Sequence, residues 1–292
     1  MRRLLAILLA VLSLTAKAAT LHTIITNGSW AVSTQRNLVI FGDGWTSQAA
    51  FLRYCTNAAT AWTNQAVWCG HPERWNVYAV HTNSVEDGTD VGGVFKNTVM
   101  DGAITGDAIS IDATKRGNVY NDALFGTPLY DPAPLTVTVV NDGTYAGTSG
   151  GQIQSRISTN DTYGWDILYH EATGHTFANL KDEYDHAGIT TEAADSSVKN
   201  LATSTTEGTN KWPFAVAVLG TPSLVSAGAY RPSDTCKMRA LPAVYCLVCS
   251  NTISTNWLAL TGLSAGGGGS SEPYIPSRPS FLNFGTLRIG NP

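Results

Sequence analysis

The sequence predicts a layered α/β or α+β domain, because strand-like and helix-like patterns alternate along the chain. Residues 38–41 form a short apolar run that ends at Gly42-Asp43-Gly44, which is typical of a buried strand followed by a turn. From Thr46, apolar residues recur at spacings of three and four, as on one face of a helix. The face comprises Phe51, Tyr54, Cys55, Ala58 and Trp62.

Three further segments extend this alternation and disfavour an all-β sandwich. Residues 75–80 and the β-branched residues 135–140 are predicted strands. Residues 141–151 are rich in glycine and predict a loop, which would either border a cleft or simply connect two elements. Residues 163–180 predict a helix, with Asp161 or Thr162 available to cap its start.

The ends of the chain differ in composition from its centre. Residues 1–18 have the basic start, apolar run and small-residue end of a cleavable secretory signal, and the run is too short to span a bilayer. One domain is expected over residues 19–263, then a Gly/Ser/Pro-rich linker over 264–280. Residues 281–292 resemble the first strand of an immunoglobulin-like β-module. We therefore expect a secreted protein, extracellular or periplasmic, that is not inserted into a membrane.

Charge and cysteine content narrow the classes of partner. The net charge of −4 would become −7 once Arg2, Arg3 and Lys17 leave with the signal, so nucleic acid is not an expected partner. An extracellular setting permits disulfides, although five cysteines leave one thiol over.

We expect a disulfide from Cys236 to Cys246 or Cys249, and another from Cys55 to Cys69. A zinc ribbon at Cys246 and Cys249 is disfavoured because only three cysteines cluster there, where a structural site needs four ligands. A thiol redox pair is disfavoured because it would need a βαβ setting. The sequence does not indicate the oligomeric state.

The predicted helix over residues 163–180 carries His170, Glu171 and His175. Two imidazoles and a carboxylate suit a zinc ion with an open position, held by the nitrogens while the acid activates water. Residues five apart on a regular α-helix are rotated by roughly 140°, so one ion could not bind both histidines. A π-bulge brings residues five apart nearly into line, and we predict one here. The alternative is an ordinary half-buried helix with exposed histidines.

The segment that continues from His175 to Asp182, Glu183 and Tyr184 resembles the immunoglobulin A peptidase family of secreted zinc metalloendopeptidases. In that family the two-histidine helix runs on through an Asp-Glu-Tyr, and some members carry the same extra residue between the histidines. The likeness spans about residues 38–250. Its matching blocks lie at residues 41–46, 75–78, 84–90, 140–147 and 236–249.

The family is similar to metzincins, and the resemblance implies a mixed twisted sheet with an active-site helix. It implies Asp182 as third metal ligand, after a turn at Asn179, a residue that tolerates the left-handed conformation. Glu183 would contact the metal ligands without binding the metal itself, or it could replace Asp182 as a ligand. His186 is a further option, more simply explained as a loop histidine. Met238 is the candidate for the methionine that packs beneath the metal.

These residues imply a secreted zinc-dependent endopeptidase with one catalytic Zn²⁺ and a protein or peptide substrate. Glu171 would be the general base, and either Tyr184 or Tyr145 could stabilise the oxyanion. One alternative is a non-enzymatic secreted binding or adhesion protein. A second alternative keeps the zinc but makes it structural, with every coordination position filled by protein.

Overall fold

The computed structural model describes residues 19–26, 35–130, 134–149 and 154–263. The predicted signal at 1–18, the linker at 264–280 and the β-module at 281–292 lie outside these residues. Within the described part, no helix combines the length and apolar character needed to cross a bilayer.

The main element is a six-stranded mixed sheet with strand order β1-β3-β2-β7-β9-β8. The four central strands pair in parallel, whereas β1 and β8 pair antiparallel at the two edges. Its strands are β1 (Thr20–Ile25), β2 (Arg36–Asp43), β3 (Trp75–His81), β7 (Leu135–Val140), β8 (Gly147–Ser149) and β9 (Gln154–Ser158). This is the predicted α/β class.

Both faces of the sheet are covered, which explains why residues 38–41 of β2 form an uninterrupted apolar run. Successive side chains of a strand point to opposite faces. Leu38 and Ile40 accordingly join the larger core cluster, while Val39 and Phe41 join a second cluster. The larger cluster receives helix α1 (Gln48–Thr63) and the second receives α2 (Ala113–Leu124).

The remaining elements lie around this sheet. Short strands β4 (Asp90–Val91), β5 (Ala103–Thr105) and β6 (Ala108–Ser110) form one small sheet, and β10 (Ser223–Ser226) pairs with β11 (Ala229–Arg231). After β9 come α3 (Gly164–Leu168) and a π-helix (Tyr169–Phe177). The later helices are α4 (Ile189–Ala194), α5 (Thr205–Lys211), α6 (Pro213–Leu219) and α7 (Leu247–Thr261). Two 3₁₀ turns span Ala66–Trp68 and Pro72–Arg74.

The sequence patterns predicted these elements with two errors. The three strand predictions are confirmed, and the helix expected from Thr46 is α1, capped by the Ser47 hydroxyl. The glycine-rich segment contains edge strand β8, which the loop prediction missed because glycine conceals the strand pattern. Neither Asp161 nor Thr162 caps the next helix. The side-chain oxygen of Asn160 accepts the backbone N–H groups of Thr162 and Tyr163 instead.

Four tryptophans form an aromatic cluster, defined as Trp62, Trp68, Trp75 and Trp257, in the larger core. The Trp75 and Trp257 rings stack with centroids 4.9 Å apart. Phe177, at the end of the π-helix, contacts this cluster edge-on, with its ring centroid 5.3 Å from that of Trp68. The cluster therefore joins α1, β3 and α7 to the helix that carries both histidines.

Replacing the Trp75 side chain tests this coupling. Trp75 is buried, so Trp75→Ala is expected to lower the free energy of unfolding by about 3–5 kcal/mol, as for other buried aromatic truncations. Phe95 is 83% exposed, so Phe95→Ala is the matched control and should change it by less than about 0.5 kcal/mol. Urea unfolding measures both. Equal effects in the two variants would contradict the assigned role of the cluster.

Candidate metal centre

The π-helix is the local structure that the five-residue histidine spacing predicts. It spans Tyr169–Phe177, longer than the single turn expected, and includes His170, Glu171 and His175. Near its end the N–H of Ala178 donates to the carbonyl of Thr173, five residues earlier. The π-turns thus align residues five apart, as the two imidazoles require.

The π-helix ends at Phe177, and the chain turns at Asn179, which adopts the left-handed conformation with φ of 52°. The N–H of the next residue, Leu180, returns to the carbonyl of Gly174 at 3.0 Å. This turn also directs the Leu180 carbonyl at His175, whose Nδ1–H donates to it at 2.8 Å. The predicted turn residue is therefore confirmed, and the turn orients a functional side chain.

Backbone carbonyls define the proton positions of both histidines. His170 Nδ1 lies 2.9 Å from the carbonyl oxygen of Lys237, and His175 Nδ1 bonds that of Leu180. A carbonyl can only accept, so each Nδ1 carries the hydrogen and each Nε2 of a neutral ring presents a lone pair. Such hydrogen bonds are the usual way in which metal-ligating histidines are oriented.

Three acceptor atoms converge on one point. The two Nε2 atoms are 3.1 Å apart, and Asp182 Oδ1 lies 3.1 Å from His170 Nε2 and 3.3 Å from His175 Nε2. Two lone pairs and a carboxylate oxygen repel one another at this distance unless a proton or a metal cation lies between them. The residues present therefore fit a metal ion.

The pKa values of His175 and Asp182 are shifted by the electrostatic interaction between the two side chains. Burial alone would lower the pKa of His175, but its hydrogen bond to Asp182 and the charge of that carboxylate raise the pKa to about 9. Burial opposes ionisation of Asp182 too, yet the two imidazoles hold its pKa well below the usual range. Asp182 is thus held as an anion, the form that a metal ligand needs.

Glu171 lies beside the three acceptor atoms, in a cleft of about 370 Å³ lined also by both histidines and Asp182. Burial raises the pKa of its carboxyl, while His175 and His170 act in the opposite direction. Edge strand β8 approaches it closely: a methyl group on Gly147 would meet Glu171 Oε1 at 2.7 Å. Gly147 therefore allows the carboxylate to lie directly against the strand.

The two tyrosines considered for the oxyanion both reach the cleft wall. Tyr145 and Tyr184 line an adjoining part of the cleft with His170 and Glu171, and each keeps about two fifths of its surface exposed. Burial raises the pKa of Tyr184, and so do the charge of Asp182 and the hydrogen bond to it. Burial also raises the pKa of Tyr145, with a further contribution from Glu171. Both phenols therefore remain protonated and able to donate.

Met238 is buried beneath the π-helix, against Gly174. A Cβ atom on Gly174 would overlap the Met238 sulfur and approach the Tyr245 hydroxyl at 3.4 Å. The carbonyl of Met238 accepts the N–H of Glu183 at 2.7 Å, immediately after Asp182. This segment therefore supports the helix and the Asp182 loop together.

The other residues considered as ligands lie elsewhere. Glu183 is fully buried, and its Oε1 accepts from Asn200 Nδ2 at 3.0 Å and contacts the Cys249 thiol at 3.1 Å. Its carboxylate is thus away from the histidine pair and does not compete with Asp182. His186 Nε2 lies 3.4 Å from Glu192 Oε2, in a loop position.

The predicted disulfides are wrong for this structure, in which all five cysteines are free. The sulfurs of Cys236 and Cys249 are 3.7 Å apart, compared with about 2.05 Å in a disulfide. Cys55 belongs to the buried face of α1, while the half-exposed Cys69 contacts the carbonyl of Val67. Spacing in the sequence could not reveal this separation.

Sequence reasoning missed the groups that orient the site. The carbonyls of Lys237 and Leu180 position the histidines, and Gly147 makes room for Glu171. Backbone carbonyls leave no trace in residue type, so no sequence pattern could have identified the first two. Gly147 was visible only as one glycine of a loop.

Comparison with known families identifies the class of protein. The sequence model of the family described as IgA Peptidase M64 matches residues 26–222, more than half of the chain. The chain therefore belongs to this family, which is a family of metallopeptidases. No curated protein matches the chain.

The contact between Gly174 and Met238 can be tested with a methyl group. Gly174→Ala places its Cβ in the Met238 sulfur, so we expect destabilisation of about 1–3 kcal/mol and a displaced site. Gly117 lies within α2 with nothing within 4 Å of an added Cβ, so Gly117→Ala should instead stabilise the protein by up to about 1 kcal/mol. Chemical denaturation measures both. A neutral Gly174→Ala variant would contradict the close packing.

Proposed function

We propose that this peptidase is a zinc-dependent endopeptidase in which His170, His175 and Asp182 hold the ion and Glu171 is the general base. The family match supports peptide-bond hydrolysis and favours the peptidase over a non-enzymatic binding protein. The open cleft beside the three ligands favours a catalytic over a purely structural ion, because a structural site is closed by four protein ligands.

The observation that carries the proposal is the spacing of the three acceptor atoms. With Zn–N and Zn–O bonds of 2.0–2.1 Å, two ligand atoms of a tetrahedron lie about 3.4 Å apart. The three separations here are 3.1, 3.1 and 3.3 Å. Two imidazoles and one carboxylate are also a ligand set that zinc peptidases use.

Each residue of the site has a separate role in the proposed hydrolysis. A bound zinc ion would supply Lewis acidity and lower the pKa of a coordinated water. Glu171 accepts the proton of the attacking water and returns it to the departing amine, a role typically worth about 10²–10⁴-fold in rate. Tyr184 and Tyr145, both on the cleft wall, are positioned to donate to the developing oxyanion.

Strand β8 supports an extended peptide as substrate. It is the last strand of the main sheet among the described residues, and Gly147, Thr148 and Ser149 line the cleft beside Glu171. An edge strand offers backbone N–H and C=O groups to which an extended peptide can pair. The Gly147 N–H already donates to the Asp107 carbonyl, so a peptide would pair with the remaining groups of β8. Such pairing would place a main-chain carbonyl next to the metal ligands without selecting a particular sequence.

We also propose that the protein acts outside the cytoplasm, because residues 1–18 have the pattern of a secretory signal. N-terminal sequencing of the exported protein should then begin near Ala19. An N-terminus at Met1 in the exported protein would contradict a cleaved signal.

Glu171→Gln tests the proposed base. The variant keeps the shape of the side chain, so we expect an unchanged fold and metal content but cleavage of denatured casein reduced by at least about 10²-fold. Glu73→Gln is the matched control, because Glu73 contacts His71 at the surface and should leave activity unchanged.

Metal dependence is measured on the same preparations. Chelation should abolish casein cleavage by the wild-type chain, and added Zn²⁺ should restore it. Retained cleavage in Glu171→Gln would contradict the assignment of the base. Cleavage that survives complete metal removal would contradict the zinc mechanism as a whole.

A further inference from the structure

We propose that Glu183, Cys236, Cys246 and Cys249 form a second metal site, a closed structural site for zinc that is separate from the catalytic centre. These four side chains are defined here as the thiol cluster. Each offers one ligand atom, and the four atoms lie within 4.8 Å of one another. All four residues are buried.

The geometry of the thiol cluster suits a tetrahedral ion. With Zn–S bonds of 2.3 Å, two thiolates of a tetrahedron lie about 3.8 Å apart. The sulfurs of Cys236 and Cys249 are 3.7 Å apart. Glu183 Oε1, the fourth candidate ligand atom, lies 3.1 Å from Cys249 Sγ. Four protein ligands of the Cys₃-carboxylate type leave no open position, which is the mark of a structural site.

A cation would also compensate the burial of the Glu183 carboxylate. Glu183 has no exposed surface, and its Oε2 has no hydrogen-bond partner. None of the ion pairs in the described part of the chain involves its carboxylate; Arg231 donates to its backbone carbonyl instead. A buried carboxylate without an ionic partner either takes up a proton or coordinates a cation, and three thiols beside it supply the rest of a coordination shell.

The thiol cluster joins three parts of the chain that converge behind the catalytic centre. Glu183 follows Asp182 directly, Cys236 lies two residues before Met238, and Cys246 and Cys249 begin α7. An ion here would therefore fix the Asp182 loop to the segment that packs beneath the π-helix.

This proposal revises what the cysteine pattern indicated. The pair Cys246 and Cys249 had only one further cysteine nearby in sequence, and a zinc site was disfavoured for want of a fourth ligand. The fold supplies that ligand as Glu183, which is 53 residues from Cys236 along the chain and belongs to a motif with a different expected role. The odd number of cysteines then needs no unpaired thiol left over from disulfides, because three of the five would bind one ion.

The first experiment isolates the thiol cluster from the catalytic centre. The full-length variant His170→Ala/His175→Ala lacks both histidine ligands but retains all four members of the cluster. Purified and loaded with Co²⁺, it should bind about one ion per chain and develop the intense near-ultraviolet thiolate-to-cobalt absorption. X-ray absorption of the zinc form should detect sulfur neighbours at about 2.3 Å. A metal-free variant, or one without sulfur neighbours, would overturn the proposal.

The second experiment compares two buried thiols. Cys236 and Cys55 are both almost completely buried, but only Cys236 belongs to the cluster. Wild type and Cys55→Ser should each contain about two zinc ions per chain, and Cys236→Ser about one, with a lower melting temperature. Alkylation of the denatured wild-type protein should label all five cysteines; a disulfide within the cluster would overturn the proposal. If Cys236→Ser does not fold, the cobalt and alkylation measurements still decide the question.

The outcomes separate this proposal from the proposed function. About one zinc per wild-type chain, with no sulfur neighbours and full proteolysis, would leave the peptidase proposal intact and remove the second site. About one zinc with sulfur neighbours in the wild-type chain, and no metal-dependent proteolysis, would do the reverse.

Discussion

The constraint on which this structure depends is that two histidines five residues apart on one helix meet at one point, with their Nε2 atoms 3.1 Å apart. A regular α-helix would turn them away from each other, so the backbone adopts π-turns from Tyr169 to Phe177. π-Turns are rarely stable by themselves, and here tertiary contacts hold them. Phe177 packs against the tryptophan cluster, and Gly174 receives Met238 from below. Thr176 bonds the Ser149 hydroxyl, on β8, at 3.0 Å.

The segments that pack against the π-helix also orient its two histidines. The turn at Asn179 and the segment around Lys237 each supply a carbonyl that orients one histidine, while Met238 and Glu183 are joined by a backbone hydrogen bond. The loop that carries Asp182, the segment around Met238 and the π-helix are therefore held together by direct contacts. The proposed ion in the thiol cluster would lie where these segments meet, so its effect on the catalytic centre would be to fix ligand positions rather than to take part in the reaction.

Much of the fold could be predicted because its signals are local. Strands β2, β3 and β7 each contain an apolar or β-branched run, and α1 has a clear helical period, so short windows of sequence identify them. The spacing of His170 and His175 similarly predicted the π-turn from backbone geometry alone.

Two features of the fold were missed, strand β8 and the residue that binds the N–H groups ahead of α3. Strand β8 forms because β9 offers it a partner, and the N–H groups of Thr162 and Tyr163 are bound by Asn160, one residue before the predicted capping candidates.

By itself, the sequence determined the chemical types available for a metal centre, the helix that carries two of them and the need for that helix to depart from α-geometry. Only the tertiary structure decided which carboxylate joins the histidines. Asp182 and Glu183 are neighbours in sequence, yet one meets the two imidazoles and the other is buried among three thiols. Adjacent side chains in an extended segment point in opposite directions, and which direction meets which partners depends on packing between distant parts of the chain. Local patterns do not contain that information.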